Sequence, residues 1–351
     1  MPNIKEISRL AGVSTATVSN VLNNSPKVTV ETREKVLKVI KETQYQPNTI
    51  AKSLKVKRTN TIGVISEDIT VFNTPEIING IDEYSESCGF HIILNNLRLF
   101  KRLGNHYSGS AKYHKLIVET VQVLLSRQVD GIIYIGAHSR DVTGLIENIS
   151  VPLVYTYCYS GDLHYSINYD DEEAAYKIIQ YLIDAGHSKI GVISGRYDSF
   201  QSQARFKGCQ RALLDYNLMF NPSYMQSGDW ERQSGYELGK KLLELPDPPT
   251  AIFAMNDIMA SGVVDAALEM KMAIPRELSL VGFDNRECSS FLTPPLTTMA
   301  LPLNEMGKNA AEILIGLIAG DAMKPVSNHI NIKCKLIERQ SVAGVERGMK
   351  Q

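Results

Sequence analysis

Small side chains at helical spacing form one face of a short segment near the start of the chain. Thr15, Ala16, Ser19 and Asn20 share this face if residues 15–22 are helical. A face meant only for solvent favours Lys and Glu, whereas short side chains let a helix enter the DNA major groove and reach base edges. These residue types at this spacing therefore predict a surface that reads DNA bases.

Three helices are needed to hold that surface in place. Gly12 suits a tight turn, and Ser14 suits the N-cap of the second helix, because its side chain can accept a backbone N–H. A third helix is predicted from Val30 to Thr43, with Thr29 as its cap. The predicted buried residues are Ile4, Ile7, Leu10 and Ala11 in the first helix, Val18, Val21 and Leu22 in the second, and Val36, Leu37 and Ile40 in the third. We interpret residues 1–46 as a helix-turn-helix domain. Its predicted DNA contacts are Ser14, Thr15, Ala16, Thr17, Ser19, Asn20 and Thr32.

The distribution of charge supports this interpretation. Residues 1–60 hold 11 Lys and Arg against 4 Asp and Glu, whereas the remaining residues hold 26 against 34. A formal net charge of −1 therefore conceals a basic head on an acidic body. A solvated helical face is the ordinary explanation of such charge, but here it coincides with the turn, the cap and the small-residue face.

A basic linker follows over residues 47–58. It begins with Pro47 and has room for a helix of only about eight residues, which is too short to be stable alone in water. We expect it to become ordered on DNA, where Leu54 either enters the minor groove as an apolar wedge or packs on the body. The spacing does not choose between these two. The predicted DNA contacts of the linker are Asn48, Ala51, Leu54 and Lys55.

The remainder of the chain alternates apolar strands with amphipathic helices, which predicts α/β layers around parallel sheets. The segment Ile-Gly-Val-Ile-Ser occurs twice, at residues 62–66 and 190–194. Each copy opens a strand–helix–strand series, which predicts two similar lobes. Strands are expected at 61–66, 90–95, 131–136, 152–156, 189–194, 251–255 and 279–284.

Ligands of such sheets bind at the carboxyl ends of the strands. Trp230, the only tryptophan, lies outside any apolar pattern, and its indole could stack on the C–H face of a sugar while Arg205, Asn256 and Asp284 bind hydroxyls. Asn256 could instead cap the following helix, and Trp230 could be core packing. The predicted effector contacts are Asp68, Phe72, His138, Tyr157, Arg205, Trp230, Asn256 and Asp284.

The chain resembles the lactose-repressor (LacI/GalR) family of bacterial transcription regulators over nearly its whole length. The matching segments are Ile4-Lys5-Glu6-Ile7, Ala11-Gly12-Val13-Ser14, Thr17-Val18-Ser19, Val21-Leu22-Asn23, Glu31-Thr32-Arg33, Tyr45-x-Pro47-Asn48 with Ala51 and Leu54, residues 61–65 and residues 336–341. The resemblance implies that Thr15, Ala16 and Asn20 read bases and that Leu54 intercalates at the centre of a palindromic operator. It also implies that Arg205, Trp230, Asn256 and Asp284 line an effector cleft.

The same resemblance implies a homodimer and a two-lobed body like a type I periplasmic sugar-binding protein. On this basis the first lobe is expected over 60–160 and 292–325, and the second over 161–291 and 326–345. Ser199 and Gln201 replace side chains that grip the ligand in the purine-responsive branch, and Leu301 and Tyr157 replace residues that are commonly polar. These departures favour a carbohydrate effector. The segment between Asn95 and Ser126 is longer than the family pattern and basic, and we expect a solvated loop there rather than a lid or a partner surface.

The chain also lacks several signals. Five cysteines without a Cys-x-x-Cys pair indicate reduced thiols in the cytoplasm, and seven histidines without ligand spacing predict no metal site. Residues 1–5 lack a signal-peptide apolar region, and no apolar run is long enough to span a membrane. No phosphate-binding loop or nucleophile elbow is present, so we predict neither a cofactor nor enzymatic activity.

The sequence therefore predicts a repressor of sugar-utilisation genes whose operator affinity depends on a small ligand. Two alternatives remain. The chain could be a global carbon-catabolite regulator controlled by a phosphocarrier protein, or a solute-binding protein for sugar uptake.

Overall fold

The computed structural model describes residues 2–45, 58–104, 109–320 and 327–345. The chain divides into two compact units, Met1–Thr59 and Asn60–Gln351, which are described separately. The predicted linker contacts Asn48, Ala51, Leu54 and Lys55 lie outside the described residues.

The described part of the first unit contains three helices: α1 (Ile4–Ala11), α2 (Thr15–Leu22) and α3 (Val30–Thr43). Each begins at a capping side chain, since Asn3, Ser14 and Thr29 accept the backbone N–H of Glu6, Thr17 and Thr32 respectively. Gly12 ends α1 in the left-handed conformation, with φ of 63°. The predicted turn and both predicted caps are confirmed.

The core of this unit is smaller than expected. Its fully or almost fully buried residues are Ile7, Ala11, Val18, Val21 and Val36. The predictions for Leu10 and Leu37 are wrong, because these side chains are 51% and 48% exposed. Three short helices bury only a narrow stripe, and apolar residues at its margin remain accessible.

Two six-stranded sheets form the second unit. The first has the order β11-β5-β4-β3-β1-β2, with every pair parallel. The second has the order β12-β10-β9-β8-β6-β7, in which only the β10–β12 pair is antiparallel. We call each sheet and the helices packed on it the first and the second lobe. The strands are β1 (Thr61–Ser66), β2 (His91–Asn96), β3 (Gly131–Ile135), β4 (Leu153–Thr156), β5 (Tyr165–Tyr169), β6 (Ile190–Ser194), β7 (Met225–Ser227), β8 (Ala251–Ala254), β9 (Ser279–Asp284), β10 (Thr297–Ala300), β11 (His329–Ile332) and β12 (Lys335–Ile337).

The helices of this unit lie between these strands. They are α4 (Thr74–Ser87), α5 (Leu99–Leu103), α6 (Ala111–Ser126), α7 (Asp171–Asp184), α8 (Phe200–Asp215), α9 (Arg232–Leu243), α10 (Asp257–Glu269), α11 (Cys288–Phe291) and α12 (Leu303–Ala319). The repeated Ile-Gly-Val-Ile-Ser segment forms β1 in one lobe and β6 in the other, and both strands hold equivalent places in their sheets. The prediction of two similar lobes is confirmed.

The predicted crossover points between the lobes are wrong by one element each. The prediction places residues 161–291 and 326–345 in the second lobe. However, β5 and β11 lie in these ranges and belong to the first sheet, where β5 pairs with both β4 and β11. β10 pairs with β9 in the second sheet, whereas α12 packs on α4 in the first lobe. Strand membership depends on backbone partners far away in sequence, which the pattern of apolar residues does not encode.

The basic segment after β2 is not a solvated loop in its described part. α5 and α6 pack on the outer face of the first sheet, where Leu99, Tyr113, Ile117 and Leu124 are buried. The basic residues of α6, Lys112 and Lys115, remain exposed. This segment therefore provides part of the lobe's core and a charged outer surface.

Candidate DNA-binding and effector sites

The predicted base-reading face is the outer face of α2. Thr15 and Ala16 are exposed, and Ser19 and Asn20 are half-buried. The opposite face is fixed by Val18 and Val21, which are 0% and 4% exposed. The helix therefore packs on the head through its buried face and presents short side chains on its outer face.

Hydrogen bonds hold both ends of α2. Ser14 Oγ accepts from the Thr17 backbone N–H at 3.1 Å and lies 2.9 Å from Thr17 Oγ1. Beyond the helix, Arg33 Nη2 donates to the Ser25 carbonyl at 2.7 Å, which ties the α2–α3 loop to α3. Thr32 Oγ1 accepts from Thr29 Oγ1 at 2.9 Å within the α3 cap. Ser14, Thr17 and Thr32 thus position the head in addition to any contact with DNA.

Arg205 is the centre of the predicted effector site. Its Nε donates to Asp171 Oδ1 at 2.7 Å, its Nη2 donates to Tyr169 Oη at 3.1 Å, and its Nη1 donates to the Met255 carbonyl. Burial alone would lower the pKa of Arg205, but Asp171 and Tyr169 outweigh it and raise the pKa. The guanidinium is therefore fixed in position and charged.

Two aromatic rings enclose this guanidinium. Its carbon lies 3.6 Å from the centre of the Phe283 ring and 5.6 Å from that of Trp230. Trp230 has φ of 80° and lies directly against Gly195, where an added Cβ would come within 1.9 Å of the indole Cε2. Only glycine at position 195 leaves room for the indole.

Asn256 connects the tryptophan to the next element. Its Nδ2 donates to the Trp230 carbonyl at 2.9 Å, and its Oδ1 accepts from the Met259 N–H at 2.7 Å as the cap of α10. The capping interpretation is thus confirmed, and the same side chain also fixes the Trp230 backbone.

A second acidic group lies at the end of β9. Burial raises the pKa of Asp284 to about 6, against the opposing charges of Arg205 and Arg286. Burial, followed by the charge of Asp284, raises the pKa of Asp257 to about 7. Asp284 Oδ2 accepts from the side chain of Arg286, whose Nε lies 3.3 Å away. Asp257 accepts from the backbone N–H of Arg286 at 2.7 Å and from Thr298 Oγ1 at 2.6 Å. This site therefore holds carboxyls that are easily protonated.

Tyr157 and Phe72 reach this cluster from the first lobe. The Tyr157 ring is 5.7 Å from that of Tyr169, and burial followed by the charge of Asp284 raises the Tyr157 pKa. The Phe72 ring lies 4.0 Å below the Arg286 guanidinium. The structure thus brings Tyr157, Phe72, Arg205, Trp230, Asn256 and Asp284 into one connected group across the two lobes.

Asp68 and His138 have different surroundings. Asp68 Oδ1 accepts from the Thr70 N–H at 3.1 Å and from Thr70 Oγ1 at 2.7 Å, and Oδ2 accepts from the Phe100 N–H at 3.2 Å. These bonds fold the loop after β1. His138 is exposed in the loop after β3. Both remain predictions as effector contacts.

A buried network next to Asp68 also fixes the first lobe. Glu67 accepts from the Ala137 N–H at 2.7 Å, from Arg140 Nη1 at 2.9 Å and from Tyr113 Oη at 2.7 Å. Burial raises the pKa of Glu67, but Arg140 outweighs it, so the pKa lies below its ordinary value. This carboxylate is saturated by its own chain.

Sequence reasoning missed Tyr169, Asp171, Phe283 and Arg286. Asp171 belongs to the acidic first turn of α7, which indicates only a helix start. Tyr169 ends a strand that was not predicted, and Phe283 is an ordinary apolar strand residue. Only proximity in the folded chain identifies these residues.

Within the described ranges, no helix has both the length and the apolar character needed to cross a membrane. The same part of the chain contains no group of three or more His, Cys, Asp or Glu side chains arranged to hold a metal ion. All five cysteines are free.

The fold and these sites define a ligand-binding regulator with a helix-turn-helix DNA-binding domain. The family described as "Bacterial regulatory proteins, lacI family" matches residues 3–48, and "Periplasmic binding protein-like domain" matches 179–342. The "HTH-type transcriptional repressor PurR" of Pasteurella multocida is 34% identical over 90% of this chain and 91% of its own length.

Solved structures agree with this match. The lac repressor dimer bound to operator and the anti-inducer ONPF is 26% identical, with a TM-score of 0.77 over 97% of this chain and 99% of that chain. A complex of the transcriptional regulator CelR with cellobiose is 25% identical, with a TM-score of 0.64 over 97% of this chain and 100% of that chain.

The chain belongs to the LacI family of bacterial regulatory proteins. It is a DNA-binding transcriptional repressor with a ligand-binding domain, and repressors of this family are not enzymes. Members of the family bind operators and small-molecule effectors as dimers.

Proposed function

We propose that this repressor acts in the cytoplasm on sugar-utilisation genes and that its effector is a small sugar or sugar derivative. The supporting observation is the buried group around Arg205, in which the Trp230 indole lies beside a fixed guanidinium and the carboxyl of Asp284. A sugar offers C–H faces for the indole and hydroxyls for the charged groups. CelR, to which the chain is similar, is described in complex with cellobiose.

The mechanism that we propose is a population shift. Two heads bind the half-sites of a near-palindromic operator, and Leu54 of the linker enters the central base step. The effector contacts side chains from both lobes and therefore favours one arrangement of the lobes over another. It changes operator affinity only to the extent that it binds these two arrangements with different affinity.

The test uses an operator isolated by selection from random duplexes. Operator affinity is measured by fluorescence anisotropy with glucose, galactose, lactose, maltose, cellobiose, glucose 6-phosphate, guanine and hypoxanthine. We expect a neutral sugar to change affinity by about 5- to 150-fold. A response to purine bases alone would contradict the sugar proposal and make the chain a purine-controlled repressor.

Salt dependence tests the DNA-binding part independently. With about 6–10 phosphate contacts, operator affinity should fall roughly 10³- to 10⁵-fold between 50 and 200 mM salt. A flat response would contradict the assigned role of the basic head.

The alternative of a global carbon-catabolite regulator is favoured by one observation, the exposed lysines Lys112 and Lys115 on α6. These cations could bind an acidic face of a phosphocarrier protein. Adding phosphorylated and unphosphorylated phosphocarrier protein to the same titration tests this alternative, which requires either form to raise operator affinity without sugar.

A further inference from the structure

The second unit begins with a strand in the interior of its first sheet. β1 pairs in parallel with β2 on one side and with β3 on the other. Parallel strands run in the same direction, so all three strands begin at the same edge of the sheet. Only residues 59 and 60 separate the linker of residues 47–58 from this strand. The linker therefore joins the body at a strand that is held on both sides.

Hydrogen bonds from both neighbouring strands hold the first residues of the body. The Asn60 carbonyl accepts from the N–H of His91, the first residue of β2, at 2.9 Å. On the other side, the N–H of Asp130, directly before β3, donates to the Thr61 carbonyl at 2.8 Å. The carboxylate of Asp130 accepts from the Thr61 N–H at 3.4 Å. The start of the body is therefore tied to the sheet through Asn60 and Thr61.

Asn60 has a backbone conformation that few residues adopt. Its φ is 50°, in the left-handed region, and the residue is exposed. Asn and Gly enter this region at low cost, whereas a β-branched residue is strained there. A φ in the extended region, about −120°, would rotate the chain that precedes Asn60 by roughly half a turn. The conformation of this one residue therefore determines the direction in which the chain leaves the body.

We infer that Asn60 is a positioning residue for operator binding, because it sets the direction of the linker and hence the separation of half-sites that the repressor accepts. Leu54 precedes Asn60 by six residues, which span about 9 Å even in a helix. A half-turn at Asn60 can therefore move Leu54 by more than the rise of one base pair, about 3.4 Å. The inference rests on the proposed binding of two heads to one near-palindromic operator and is independent of the identity of the effector.

The test measures the preferred half-site separation of variants of the full chain. An operator is selected from random duplexes with the wild type, and its centre is then lengthened or shortened by one or two base pairs. Affinity for each duplex is measured by fluorescence anisotropy without ligand and with each compound of the panel above. The condition in which the wild type binds most tightly is used for all variants. Urea unfolding measures the stability of each variant.

Asn60→Val should lower affinity for the selected operator about 5- to 30-fold per subunit, because the valine must return to the left-handed region on DNA. Its preferred half-site separation should differ from that of the wild type. Asn60→Gly should keep the wild-type preference, because glycine adopts this conformation without a steric penalty. Asp130→Ala should accept a wider range of separations than Asp130→Asn, which keeps an oxygen that can accept from Thr61.

Asn217→Val is the matched control. Asn217 is also exposed and left-handed, with φ of 56°, but it follows α8 in the second lobe. This variant should lower the free energy of unfolding, because valine is strained in the same region. It should keep both the operator affinity and the half-site preference of the wild type.

The outcomes separate this inference from the proposed function. If the selected operator is a near-palindrome and Asn60→Val binds every duplex as the wild type does, only this inference is overturned. It is also overturned if Asn217→Val changes the half-site preference, or if Asn60→Gly loses as much affinity as Asn60→Val. If the selected operator contains a single half-site, the proposed binding of two heads and the inference both fail.

Discussion

The predicted base-reading face of the head and the Arg205 cluster of the body, the candidate effector site, hold their side chains in opposite ways. Thr15, Ala16 and Asn20 lie on the outside of α2, and the buried seam of the helix holds them in place. Arg205 instead is itself buried and takes part in the packing that positions it. Substitutions on the outer face of α2 should therefore change specificity with little change in stability, whereas substitutions in the cluster should change ligand response and stability together.

The largest effect is expected from Arg205→Met. The substitution leaves Asp171 buried without its cation, so the free energy of unfolding should fall by about 3–5 kcal/mol and the ligand response should disappear. Urea unfolding and operator titration with sugar measure these two effects. Arg276→Met removes an exposed arginine 3.8 Å from Glu277 and should change stability by less than about 1 kcal/mol. Equal losses in both variants would remove the contrast between buried and exposed sites.

Gly195→Ala and Gly316→Ala should have effects of opposite sign. A Cβ at position 195 would meet the Trp230 indole at 1.9 Å, so we expect a loss of about 1–3 kcal/mol and a weakened ligand response. Gly316 lies inside α12, and apart from the backbone of its own helix no described residue has an atom within 4 Å of an added Cβ, so alanine there should stabilise by about 0.5–1 kcal/mol. Thermal unfolding of both variants measures the difference. If Gly195→Ala responds to sugar as the wild type does, the ligand response does not depend on the position of the Trp230 indole.

The carboxyls of the cluster should make stability depend on pH. The folded-state pKa values of Asp284 and Asp257 are about 6 and about 7, above the value of 3.8 for a free carboxyl. The folded chain therefore holds protons that the unfolded chain has lost. This contribution is complete below about pH 4, is lost as pH rises through 6 and 7, and amounts to about 1–3 kcal/mol. Thermal unfolding from pH 4 to 8 should show a shallower dependence in Asp284→Asn, and an unchanged profile would contradict the burial argument.

The smallest change in stability is expected on the outer face of α2. Asn20→Ala should change the free energy of unfolding by only about 0.5 kcal/mol or less, but relax base preference at one or two operator positions by about 1–3 kcal/mol. Val18→Ala is the matched control from the inner face of α2. It should destabilise the head and weaken binding to every sequence equally. If Asn20→Ala does the same, the outer face does not read bases.

Local signals in the sequence predict local structure well. Thr29 and the bounds of α3 match the prediction, as do the continuous apolar runs that form β1 and β9. β5 was missed because polar residues interrupt its sequence, and β7 and β12 have only three residues each. Where such strands pair is decided by distant partners, so the crossover points between lobes were predicted incorrectly.

The candidate site shows the same limit. Trp230 was recognised as unusual from its sequence context, and resemblance to the family supplied the expected roles of Arg205, Asn256 and Asp284. Tyr169 and Asp171 were missed because each has an ordinary local explanation as a strand end or a helix start. The left-handed conformation of Asn60 was also missed, because the strands that hold this residue lie far away in the sequence.

The last two strands determine when each lobe can complete its sheet during translation. β11 completes one sheet and β12 the other, and only two residues separate them. Neither lobe can assemble all its strands until residues 329–337 have emerged from the ribosome. The helix-turn-helix head contains none of these strands and can fold as soon as it has emerged. A nascent chain would therefore carry a folded DNA-binding domain while each lobe still lacks its last edge strand.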